Sequence, residues 1–131
     1  MENRFDKLLN SLEELKQEIK KTTGINRAGV NQATRLVGNG YYIKPSSWNP
    51  PSAEEENAFI EAEGMPAFGK WHLGVDGNVD PNLKGHWTYI YTSDFKTVDR
   101  AALIAVRQRA GQQKETAIFE AAGKILEKLD A

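Results

Sequence analysis

At 131 residues, with 40% hydrophobic and 27% charged side chains, the chain has the size and composition of one globular domain with room for an appendage. Its 17 Lys and Arg against 18 Asp and Glu leave a formal net charge of -1, which supplies no general field for drawing it onto nucleic acid or anionic lipid. The lack of cysteine excludes disulfides, thiolate nucleophiles and Cys-based metal sites, and no apolar run reaches the roughly 18 residues that spanning a bilayer needs.

Charges begin at Glu2 with no signal-like apolar stretch behind them, so the expected setting is the cytoplasm, without membrane contact. The first predicted element is a helix. Phe5, Leu8, Leu12, Leu15 and Ile19 recur at alternating steps of three and four, the a and d positions of a heptad. Glu13, Glu14, Lys16, Gln17, Glu18 and Lys20 solvate its other face. About two and a half heptads are too few to be stable alone, so this coiled-coil-like helix needs a partner. That partner is the same helix in another copy, a different protein, or the chain's own domain. Leu9 widens the stripe enough to suit a globular surface as well. The break at Thr22-Thr23-Gly24 sets residues 1–23 apart as an amphipathic association helix, with the five seam residues as its interaction set.

Residues 24–51 read as a linker and turn region, and Ile25 to Val37, with Arg27 and Arg35 but only scattered apolar residues, as linker or weak helix. Gly38-Asn39-Gly40 marks a turn, Tyr41-Tyr42-Ile43 a short strand, and Pro45 its end. Trp48 lies in a loop between Pro45 and Pro50-Pro51.

Residues 52–131 form the predicted α+β domain. Ser52 with Glu55 fits a capping box, and Gly64 offers a stop for a helix whose inner face is Phe59, Ile60 and Ala62. Phe68 to Val75 and His86 to Thr92 alternate as half-buried antiparallel strands, with Trp87, Tyr89 and Tyr91 on one face. Thr97 caps a helix along Val98, Ala101, Ala102, Ala105 and Val106 that ends near Gly111. A second helix starts near Gln113 and carries Ile118, Ala121, Ala122, Ile125 and Leu129 at helical spacing. The expected architecture is an antiparallel hairpin or three-stranded sheet packed against this C-terminal helical hairpin, with Trp87 and Tyr89 meeting Ile118 or Ile125.

The motifs that suggest chemistry weaken on inspection. Asp76-Gly77-Asn78-Val79-Asp80 opens like a calcium loop, but Pro81 occupies the sixth position and Trp87 the twelfth, so a hairpin connection accounts for it better. His72 and His86 sit on neighbouring predicted strands and suggest a metal or acid–base pair, without a ligand motif to support it. We therefore expect no enzyme, no metal and no cofactor. Arg100, Arg107, Arg109 and Lys114 make the helical pair locally basic, which supports the alternative of a small nucleic-acid-binding regulator.

One likeness extends this reading. Tyr89-Ile90-Tyr91-Thr92-Ser93-Asp94 followed by Val98-Asp99-Arg100-Ala101-Ala102-Leu103-Ile104-Ala105-Val106-Arg107-Gln108-Arg109-Ala110 resembles a segment of tailed-bacteriophage head-region proteins. In those proteins an aromatic strand ending in an Asp turn precedes an arginine-led, alanine-rich helix, often beside prohead-protease or other capsid genes. With Lys70-Trp71-His72-Leu73-Gly74-Val75-Asp76 upstream, the likeness spans about Lys70 to Leu129. It implies a phage or prophage structural or assembly protein, in the virion or host cytoplasm, whose partners are its own copies or a larger particle protein. It carries over no catalytic residue.

Overall fold

The computed structural model describes residues 24–131. The predicted association helix and its seam, Phe5, Leu8, Leu12, Leu15 and Ile19, lie outside the described residues. Along the described chain run β1 (Gly24–Ile25), α1 (Arg27–Gly38), β2 (Tyr42–Ile43), α2 (Ala53–Glu63) and the short α3 (Met65–Gly69). They are followed by β3 (His72–Val75), β4 (Trp87–Ile90), β5 (Val98–Asp99), α4 (Arg100–Gln112) and α5 (Thr116–Asp130). The fold is α+β, with a small antiparallel sheet in the order β1-β3-β4 and a separate parallel pair of β2 with β5.

Residues 24–51, expected as linker and turn with a short strand, supply that strand as β2 and also β1 and the full helix α1. The buried positions of α1 are Gly29, Ala33 and Val37, all small side chains. Asn26 secures its start: the backbone N–H donates to the Leu73 carbonyl at 2.8 Å, and the side-chain amide donates to the Gly69 and His72 carbonyls at 3.0 Å each. Ala33 and Val37 then join Trp71, Leu73, Tyr91, Leu103, Val106, Ile118, Ile125 and Leu129 in one core.

The capping box of α2 forms as read, with Ser52 Oγ accepting from the Glu55 N–H and the Glu55 carboxylate accepting from the Ser52 N–H. Its inner face is narrower than expected, since Phe59 and Ile60 are half-buried and Ala62 is exposed. Phe59 docks by stacking on Phe95, with ring centroids 4.5 Å apart.

Both strands are shorter than the alternation suggested. Phe68 and Gly69 belong to α3, because Pro66 near its start presets a helical turn, and the β3 ladder begins at His72. Register pairs His72 with Ile90, Gly74 with Thr88 and Val75 with Trp87. Tyr89 has φ 63, a left-handed conformation that breaks the alternation, so the three aromatics do not share a face. Trp87 lies over α3, where a Cβ on Gly69 would meet its indole at 2.7 Å. Tyr89 and Ile118 bracket Gly74 on the helix side, at 2.8 and 3.0 Å from a Cβ built there. The expected helix cover therefore holds around Tyr89 and not around Trp87.

The start of α4 also moves. Val98–Asp99 is a strand pairing in parallel with Tyr42–Ile43, and the cap is Asp99, whose Oδ1 accepts from the Ala102 N–H at 3.0 Å. Thr97 bonds instead to the Asp94 carboxylate. In that turn Asp94 also accepts from the Lys96 and Thr97 N–H groups at 2.9 Å each. Partial burial pushes its carboxyl pKa up, but these bonds outweigh that and hold it below the ordinary range.

Candidate association surface

The titratable side chains that suggested chemistry are used by the fold. His72 is buried, its ring lies tilted against Phe68 with centroids 4.7 Å apart, and its Nδ1 lies 3.0 Å from the Phe68 carbonyl. Burial lowers its pKa to about 4 against the pull of those backbone bonds, so the ring is neutral and Nδ1–H donates. His86 Nδ1 lies 2.7 Å from the Val79 carbonyl, inside the hairpin connection.

The two histidines do not meet. Asp76 N–H donates to the His86 carbonyl, which places His86 opposite position 76 while His72 pairs with Ile90. They are four residues apart along the ladder, roughly 13 Å. Asp76 and Asp80 each accept, through Oδ1, the N–H two residues on, Asn78 and Asn82. These are turn bonds of the hairpin connection, and no group of three metal-ligating side chains gathers among the described residues.

The basic residues of the helical pair separate into two places. Arg100 grips Asp130 through Nε at 2.9 Å and a second nitrogen at 3.1 Å, and Lys44 approaches the same carboxylate at 3.7 Å. The Arg100 bond holds the Asp130 carboxyl below its usual range. The Arg107 guanidinium lies over the Phe119 ring at 4.5 Å and shares a shallow hollow with Arg100, Glu127 and Asp130. Two cations there face two carboxylates. Arg109 and Lys114 sit toward the other end of α4, where Lys114 turns the chain with φ 59.

A surface that sequence reading missed runs between α1 and α5. Along α5, Ala117, Ala121 and Ile125 form a row at steps of four, and Glu120, Lys124 and Lys128 form the row beside it. From α1, Val30 and Thr34 face the first row, and Ile25 of β1 closes one side with Arg27. Together they make a groove of about 470 Å³ with an apolar floor and a mainly basic rim. The α5 periodicity announced one wall; the other depends on where α1 packs.

Trp87 lines a second recess with Asn26, Ala28 and Pro81, and its buried indole N–H has no hydrogen-bond partner among the described residues. No family model, curated protein or solved structure matches the chain.

Proposed function

We propose that the chain is a structural or assembly protein that works by protein–protein association, in the phage or prophage setting that the head-region resemblance implies. The observation that carries the reading is the α1–α5 groove, an apolar-floored and charge-rimmed helix surface beside Ile25. An amphipathic seam with no stability of its own precedes that point by a few residues. Each seam residue stands to gain roughly 1.5 to 3 kcal/mol on full burial, so the segment is driven to find such a surface. The histidines, Asp76 and Asp80 are held by backbone bonds and Arg100 is paired with Asp130, so these side chains serve the fold.

The test substitutes Leu12 and Leu15 with Ser in the full chain and follows mass by sedimentation velocity across concentration. The expected outcome is a lower oligomeric mass, or loss of the protein from purified particles by mass spectrometry. A full-length chain that stays monomeric at every concentration and is found in no particle would sink the reading.

A further inference from the structure

Resting on the association reading, we infer that the α1–α5 groove is the seat of residues 5–19 of the same chain, so that association requires the seam to leave it. The argument begins with attachment. β1 is held against β3, Gly24 opposite Val75 and Ile25 opposite Gly74, and Ile25 itself lines the groove. The described chain therefore begins at the groove's own edge. Fully extended, residues 20–23 span at most roughly 14 Å, enough to fold back over the groove and too little to carry Ile19 far from it.

Shape agrees with attachment. Ala117 and Ala121 are small, so they let a third helix approach the α1–α5 pair closely, while Val30 and Ile25, both partly exposed, offer bulk for its seam. A helix over residues 5–19 is about 22 Å long, the same as the 15-residue α5 against which it would lie.

Tether length decides between this chain's seam and that of a second copy. A short linker holds its ligand at an effective concentration of about millimolar, far above the micromolar level of a second copy in dilute solution. The chain's own seam therefore occupies the groove first, and a partner, whether another copy or a particle protein, must compete with it.

The chain has no cysteine, so an introduced pair reports alone. Ala117→Cys, at an exposed position of α5, is combined in turn with Leu8→Cys, Leu12→Cys, Leu15→Cys and Ile19→Cys, and each full-length variant is oxidised at micromolar concentration. The expected result is an intramolecular disulfide, a faster-migrating monomer reversed by reductant, for at least one seam position and not for Glu14→Cys on the opposite helix face. Disulfide-linked dimers in its place would overturn the seat in favour of a second copy and leave the association reading standing. No disulfide at any seam position would overturn the seat outright.

Amide exchange on the unmodified chain, at a concentration where it is monomeric, gives an independent reading. Residues 8–19 should be protected by about tenfold or more, and exchange at unfolded rates would overturn the seat. A chain that forms the intramolecular disulfide yet never assembles would uphold the seat and sink the association reading.

Discussion

At Gly29 the backbone of α1 comes so close to β3 that an added Cβ would lie 1.7 Å from the His72 carbonyl oxygen. That carbonyl also accepts from the Asn26 side chain, so neither partner can step aside without breaking the bond that starts the helix. Gly29→Ala should therefore destabilise the chain by about 1 to 3 kcal/mol, the usual range for overpacking, read as a lower urea midpoint. An unchanged midpoint would show that α1 slides freely on the sheet. The His72 ring adds a pH dependence. Its folded pKa, about 4, lies below the ordinary 6.5, so the unfolded chain binds the proton first as pH falls. Its contribution is fully present above pH 6.5 and is lost between 6.5 and about 4, roughly 3 kcal/mol in all. His72→Gln should flatten the fall in melting temperature across that window; an equally steep fall in the variant would assign the acid sensitivity to other groups.

Among the elements, α2 and α5 were legible and α4 only partly so. Ser52 and Glu55 cap α2 through bonds made within four residues, and the buried face of α5, Ile118, Ala121, Ala122, Ile125 and Leu129, is the stripe its spacing announces. For α4 the cap is Asp99 and not the expected Thr97, because β2 draws Val98 and Asp99 into a parallel pair. Asp99 is 1% exposed, and its second oxygen is buried without a hydrogen-bond partner among the described residues. Asp99→Ala should cost about 1 kcal/mol in thermal melts through loss of the cap, whereas Asp99→Asn, which keeps an accepting oxygen, should cost less. Equal losses in the two variants would place the contribution in the charge and not in the cap.

For the molecule as a whole, what residue order determined is what short-range forces decide. The capping box of α2, the Asp turns of the hairpin connection and the apolar stripe of α5 rest on neighbours a few residues away, and β3 and β4 pair across a single connection. Together they suffice for an α+β class. Tertiary structure alone decided the rest. β1 and β5 are two-residue strands, too short for any alternation to show, and β2, legible from its side chains, takes its partner β5 only in the fold. The place of α1 in the core depends on Gly29 meeting a carbonyl far along the chain, a requirement invisible in a glycine by itself. Trp87 and Tyr89 part company because one left-handed residue cancels the strand's two-residue period. The groove proposed as the association surface follows from the same cause: its α5 wall is periodic in sequence, but its other wall comes from a helix whose position is set by long-range packing.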